Sequence, residues 1–236
     1  MIKLGIIGAM ELEVETLKSK MSVANIVTKA GMHFFEGTLH HIDVVIVRCG
    51  VGKVNAALCV QILADIFHVS HVINTGVAGS LNPSLNIGDI LVSKEALHHD
   101  VDATIFGYQP GEVPQMGIRE FPADEGLIVL AKETCERVNP HICVKIGRVV
   151  SGDQFISDSL IKKCLVDVLN GDCVEMEGAS IAHSAYLNGL PFVIIRALSD
   201  KADDSAEVDY PVFEQAAATH SARLVEEMMK ALAMKS

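Results

Sequence analysis

The sequence predicts one doubly wound α/β domain spanning residues 1–236, and three observations carry that prediction. Short Val- and Ile-rich runs are apolar on both faces, the pattern of buried parallel strands. Helical stretches alternate with several of these runs, as in a parallel sheet covered by helices. No low-complexity linker and no internal repeat divides the chain.

Taken in order, Lys3–Ile7 reads as the first strand, and Glu11–Ser19 as the helix that follows it. Val44–Val47 is the next strand; the turn Gly50-Val-Gly-Lys53 leads from it into a helix over Val54–Ile66. His71–Asn74 and Asp89–Val92 are strands, and so is Val144–Val150. Cys173-Val174 is a short apolar run before an acidic motif, and Gly178–Leu187 is the helix after it. Phe192–Leu198 is the last strand. Phe213, Ala217, Leu224, Met228 and Leu232 recur near a spacing of 3.6, so Phe213–Met234 reads as an amphipathic helix. Leu97–Asp124 has no clear periodicity and is rich in Gly and Pro, and a loop that long is usually functional or at an interface.

Composition narrows the function. Half of the 236 residues are apolar, enough for a sizeable core. The formal charge is −11, and no basic cluster exceeds Lys162-Lys163, so the phosphate-neutralising footprint of a nucleic-acid binder is missing. There is no Trp and few aromatic residues, which also argues against base-stacking platforms. The six cysteines are scattered without a C-x-x-C and read as reduced core thiols of a cytoplasmic protein. No run approaches the ~18 apolar residues that span a bilayer. The N-terminal run turns acidic at Glu11, unlike a signal peptide.

The most informative motif is Glu175-Met176-Glu177, followed after one helix and one strand by Arg196-Ala-Leu-Ser199-Asp200. Each acidic group follows an apolar strand-like run, and strand carboxyl ends are where open α/β sheets bind ligands. One carboxylate is thereby offered to a hydroxylated ligand and a second to proton transfer. Glu11, Glu13 and Glu15 lie near a helix start, where acidic side chains favour the helix dipole, and local sequence does not distinguish Glu13 from its neighbours. Gly50-Val-Gly-Lys53 lacks the P-loop spacing; it is a tight strand-to-helix turn or the wall of a ligand crevice. Asn74-Thr-Gly-Val-Ala-Gly79 reads as a turn that brings bare backbone to the sheet edge. His98-His99 lacks a third clustered ligand, so neither a metal nor another cofactor is expected.

In register, these segments resemble the 5′-methylthioadenosine/S-adenosylhomocysteine nucleosidase family of the purine nucleoside phosphorylase superfamily. The motifs are Gly-Val-Gly-Lys-Val-Asn-Ala-Ala (50–57), Asn-Thr-Gly-x-Ala-Gly (74–79), His-Asp-x-Asp-Ala-Thr-x-Phe-Gly-Tyr (99–108), Val-Ser-Gly-Asp-x-Phe-Ile (150–156), Val-Glu-Met-Glu (174–177) and Arg-Ala-x-Ser-Asp (196–200). Each is weak alone; six in order are specific. The resemblance implies a single nucleoside phosphorylase-like domain, three-layer α/β/α with a central mixed, mostly parallel sheet. It implies hydrolysis of the N9–C1′ bond of a 5′-thio-substituted adenosine, and of 5′-deoxyadenosine, through an oxocarbenium-like ribosyl centre.

Carried onto this chain, the resemblance makes Asp200 the acid at adenine N7, with Ser199 orienting it, and Glu13 the base for water, helped by Arg196. Glu177 and the Met176 backbone would bind the ribose; Phe155 and the Ile156 backbone would hold adenine; Gly79 would approach through its backbone. Val51 and Tyr210 would line the 5′-thio pocket. Family members are dimers with a shared pocket, and the partner's Ala103, Phe106 and Pro114 would close it. This chain has Val77 where many relatives have a serine that helps hold the water, and Tyr210 in place of a common phenylalanine.

Three other readings stay open: a phosphorylase, kept alive by Arg48 and Arg196; a related hydrolase of the futalosine type; and a non-catalytic nucleoside-binding module. Glu13 favours the hydrolase, because a carboxylate on the nucleophile side repels phosphate and suits water.

Overall fold

The structure is a computed structural model and describes residues 2–234. Ten strands alternate with six α-helices: β1 (Lys3–Gly8), α1 (Glu15–Lys20), β2 (Ser22–Lys29), β3 (Met32–Leu39), β4 (Ile42–Arg48), α2 (Lys53–Asp65), β5 (His71–Ser80), β6 (Ile90–His98), β7 (Phe121–Pro122), α3 (Glu125–Val138), β8 (Val144–Ser151), α4 (Ser159–Leu169), β9 (Cys173–Glu175), α5 (Gly178–Leu187), β10 (Phe192–Asp200) and α6 (Ala206–Ala233). All strands join one mixed sheet in the order β10-β6-β8-β9-β5-β1-β4-β3-β2, with β7 added beside β6.

The centre is parallel: β1 with β4 and β5, β5 with β10, β6 with β8, and β8 with β9. Antiparallel pairs are β2–β3, β3–β4, β10–β6, β5–β9 and β6–β7. Because β10 pairs with both β6 and β5, the strands β5, β10, β6, β8 and β9 close into a ring. An open doubly wound sheet is therefore only part of the description. β5 is ten residues long and keeps pairing after β1 ends, so it bends onto β9 at Gly79 and Ser80.

Alternation along the strands divides the core into two layers. In β4, Val45 and Val47 face one core with α2 and α5, while Val44 and Ile46 face the other with α1, α3 and α6. In β10, Ile194 and Leu198 take the first face, and Val193, Ile195 and Ala197 the second. A smaller cluster packs α4, through Leu165 and Leu169, against Leu97, Val150 and Val174.

Several sequence expectations are corrected. The helix expected at Glu11–Ser19 splits into a one-turn 3-10 helix, Glu11–Glu13, and α1. Asn74–Gly79 is not a turn but the middle of β5. The last helix starts at Ala206, not Phe213; Pro211 sits in its second turn, where a missing N–H argues against helix in sequence. The cysteines are all free thiols, but Cys143 and Cys164 are exposed and so are not core residues. Within residues 2–234, no helix is long and apolar enough to cross a membrane.

Candidate active site

The carboxyl ends of β1, β5, β9 and β10 surround a cleft. It is lined by Met10, Glu13, Val51, Val77, Gly79, Phe155, Glu175, Met176, Glu177, Ser199, Asp200 and Tyr210, with Ala9, Ala78 and Val174 between them. No Lys or Arg is among these residues.

Glu13 ends the 3-10 turn after β1 and is 3 % exposed, whereas Glu11 is exposed and pairs with Lys18. Tertiary burial makes the distinction that local sequence could not. Oε2 of Glu13 accepts the backbone N–H groups of Ala9 (2.7 Å) and Met10 (2.9 Å), and Oε1 that of Val77 (3.2 Å). Burial pushes its carboxyl above the usual range, while the Arg196 charge and the three N–H donors pull the other way. Gly76 makes room for this arrangement: a Cβ there would lie 2.5 Å from Glu13 Oε1 and 2.8 Å from Arg196 Nη1.

Asp200 ends β10, where a bulge between Leu198 and Asp200 brings it opposite Gly79. A bulge re-aims the side chain that follows it. Oδ2 accepts the Ser199 hydroxyl (2.8 Å) and Oδ1 the Ala202 N–H (2.7 Å). Burial raises the Asp200 carboxyl above its ordinary range, against the pull of these two hydrogen bonds. A Cβ on Gly79 would come within 2.7 Å of Asp200 Oδ1, so glycine is required for the close approach.

Glu177 stands just before α5, 5 % exposed, and its Oε1 accepts the Gly52 N–H at 2.8 Å. Burial, then the Glu175 charge, push its carboxyl up to about 8. Glu175 differs although it is equally buried. It pairs with Arg196 and accepts the Ser151 hydroxyl and the N–H groups of Glu177 and Gly178. Burial alone would raise Glu175, but Arg196 and these donors outweigh it and hold it below the usual range.

Phe155 is 49 % exposed for an aromatic ring and meets Tyr210 edge-on, with centroids 5.5 Å apart. The Tyr210 hydroxyl reaches Met10 Sδ at 3.5 Å. Ile156 lies deeper, in an adjoining recess shared with Gln154, Met176 and Asp200.

Besides Ile156, four sequence candidates lie off the cleft wall. Arg196 is 2 % exposed and stands behind Glu13, bonded to Asn74 Oδ1 (2.6 Å) and Glu175; it is a structural counter-charge rather than a lining residue. Ala103 is buried in the long loop, Phe106 is 80 % exposed in a one-turn 3-10 helix, and Pro114 is exposed; none lines this chain's own cleft. Arg48 is turned away and sits 3.9 Å from Glu11. Sequence reading missed Asn74, Ser151 and Gly76, and gave Glu175 no separate role. A polar Asn inside an otherwise apolar strand was the available signal for the first. Among the described residues, no group of three or more His, Cys, Asp or Glu side chains is arranged to hold a metal ion.

The phosphorylase superfamily model matches residues 3–230. The chain is 45 % identical over 226 residues to the 5′-methylthioadenosine/S-adenosylhomocysteine nucleosidase of Halalkalibacterium halodurans, covering 95 % of this chain and 96 % of that protein. Its fold is similar to the nucleosidase of the same name from Neisseria meningitidis in complex with methylthio-immucillin-A: TM-score 0.94, 38 % identity, 98 % of this chain and 100 % of that one. It is also similar to futalosine hydrolase of Helicobacter pylori, with a TM-score of 0.92, 33 % identity and 98 % of each chain covered.

Proposed function

The chain belongs to the phosphorylase superfamily and, within it, to the 5′-methylthioadenosine/S-adenosylhomocysteine nucleosidases, and from that premise we propose how its cleft works. The enzyme is an N-glycosyl hydrolase that releases adenine from 5′-methylthioadenosine and S-adenosylhomocysteine. Asp200 donates its proton to adenine N7 while the N9–C1′ electron pair leaves with the base. The oxygen of a water bonds to C1′, and Glu13 takes the proton that water loses. Between these events the ribosyl group is oxocarbenium-like, and an ionised Glu13 is electrostatically matched to it.

Environment supports the division of labour. A carboxylic acid able to protonate a base near neutral pH needs a raised pKa, which burial gives Asp200. A base must be ionised; burial works against this in Glu13 and raises its carboxyl, and Arg196 with three N–H donors offsets part of that effect. Glu177, held by the Gly52 N–H, would take the ribose hydroxyls beside the Met176 backbone, and Phe155, which lines the same cleft, would offer a face for adenine. Val51, Met10 and Tyr210 also line the cleft, and the 5′ substituent would lie against them.

One observation carries hydrolysis over phosphorolysis. A phosphate nucleophile needs cationic or N–H donors, yet no Lys or Arg lines the cleft, and the backbone N–H groups nearest Glu13 are already bonded to it. Product analysis with 5′-methylthioadenosine, with and without phosphate, tests this. Adenine and free methylthioribose, unaffected by phosphate, are expected; methylthioribose 1-phosphate would overturn the nucleophile assignment. Likeness to a futalosine hydrolase makes that nucleoside the first competitor to assay.

A homodimer with a shared pocket and a cytoplasmic location are further parts of the proposal. Ile105 and Phe106 are 88 % and 80 % exposed, an apolar pair suited to burial in a partner. Light scattering reads the dimer, and a fully active monomer would contradict the shared pocket.

A further inference from the structure

Three charged residues of the sequence motifs are left without a part in the chemistry above: Lys53, Asp100 and Asp153. They come from three separate segments, at the start of α2 and after the ends of β6 and β8, and they meet one another. Lys53 Nζ donates to Asp100 Oδ1 (2.6 Å), the Lys53 N–H to Asp153 Oδ1 (2.8 Å), and the Asp153 N–H to Asp100 Oδ2 (3.0 Å). The Lys53 carbonyl accepts the Ser180 hydroxyl from α5 at 2.7 Å. The main-chain N–H, the ammonium and the main-chain carbonyl of Lys53 are therefore each engaged by a different segment.

The sequence leaves space for this knot. Gly52 has φ +97°, and a Cβ on it would sit 3.1 Å from Asp153 Oδ1. A Cβ on Gly152 would lie 2.5 Å from the His99 ring and 2.9 Å from Asp100 Cγ. Two adjacent N–H groups then divide between the site and the knot: Gly52 holds Glu177, and Lys53 holds Asp153. Two residues beyond Asp153 stands Phe155, and Asp100 opens the segment that carries Ala103 and Phe106.

We propose that Lys53, Asp100 and Asp153 are positioning residues, a clasp that fixes the ribose carboxylate Glu177 and the purine platform Phe155 at one separation and ties both to the 103–106 segment offered to the partner. The inference rests on the adenine and ribose sites proposed above. None of the hydrogen-bond partners of Glu13 or Asp200 belongs to the clasp. Its loss should therefore weaken nucleoside binding more than bond cleavage. The Lys53–Asp100 pair is partly exposed, and pairs of that kind add little to global stability. A purely structural role would thus leave binding and kinetics untouched.

The test uses Asp153→Ala, Lys53→Met and the conservative Asp153→Asn, which keeps a carbonyl oxygen for the Lys53 N–H. With 5′-methylthioadenosine, Asp153→Ala and Lys53→Met should raise KM about tenfold or more while kcat falls less than about threefold. The adenine inhibition constant should rise in parallel, and Asp153→Asn should recover most of the loss. Amide exchange across residues 152–157 should quicken in the first two variants, a readout that needs no substrate. Unchanged exchange, or KM within twofold of wild type in both variants, overturns the clasp. A fall in kcat alone does so too, because it would put these residues in the chemistry. If wild-type protein releases no adenine, the functional reading fails instead, and the exchange experiment still decides whether the clasp orders the Phe155 segment.

Discussion

Replacing Glu13 by glutamine removes the proposed base with the least change in shape. Oε2 holds two N–H donors and Oε1 holds one, so the amide NH2 will take the Oε1 side and face the Val77 N–H. One buried donor is left unsatisfied, which costs about 1–3 kcal/mol. Against this, the substitution discharges a buried carboxylate whose ionisation burial already disfavours. The two effects oppose, and a net change near 1 kcal/mol shifts Tm by roughly 2–4 °C in a chain of this size. Loss of a general base lowers turnover by at least about 10²-fold, or about 2.7 kcal/mol of barrier. The assay is adenine release at saturating 5′-methylthioadenosine, beside a thermal melt and adenine binding. A folded Glu13→Gln protein that binds adenine normally but turns over at least a hundredfold more slowly is expected. Turnover within tenfold of wild type in a folded variant would refute Glu13 as the base.

Asp200→Asn should likewise drop turnover by about 10²-fold or more with the fold intact, and a wild-type rate would remove Asp200 as the acid. The kcat profile should be bell-shaped. It falls at low pH as Glu13 takes up a proton and at high pH as Asp200 loses one, with both limbs displaced above ordinary carboxylate values; a profile flat from pH 4 to 10 would contradict both roles. Gly76→Ala should reduce activity and cost about 1–3 kcal/mol by overpacking, because its Cβ would collide with Glu13 and Arg196; normal stability and rate would disprove the packing argument. Glu177 binds its proton more tightly folded, at about 8, than unfolded, near 4.5, so its burial erodes stability as pH rises between those values. Glu177→Gln should flatten that slope in urea titrations at pH 5 and pH 8.5, and an unchanged slope would refute the assignment.

Strands buried on both faces announced themselves. Leu4–Ile7 and Phe192–Ile195 are continuous apolar runs because helices cover both sides of the sheet there. The β2–β3 hairpin did not: β2 is almost entirely exposed, and its register comes from pairing rather than from a hydrophobic face. Helices α3 and α4 carried a local signal that was passed over, an aspartate just before each, Asp124 and Asp158, whose side chain caps the first turn. The site was legible where chemistry follows a strand end, as at Glu177 and Asp200. It was illegible where tertiary burial decides. Glu11, Glu13 and Glu15 look alike in sequence, and only the fold sends Glu13 inward.

Val77 sharpens that last point. A serine at this position would add a hydroxyl to the cleft, so its replacement by valine suggests a weakened grip on water. Yet the Val77 group that touches Glu13 is the backbone N–H, which any residue but proline supplies. The other two donors, from Ala9 and Met10, are also backbone. The base is thus oriented by three main-chain groups, two just past the end of β1 and one within β5, and these strands are locked in parallel register from Leu4 and His71 to Ile7 and Asn74. Side-chain substitution around the carboxylate changes the wall that faces the ligand while leaving its orientation to the sheet. The position of the base is in this way a property of sheet register, and the departure at Val77 bears on how water and substrate fill the cleft, not on where Glu13 stands.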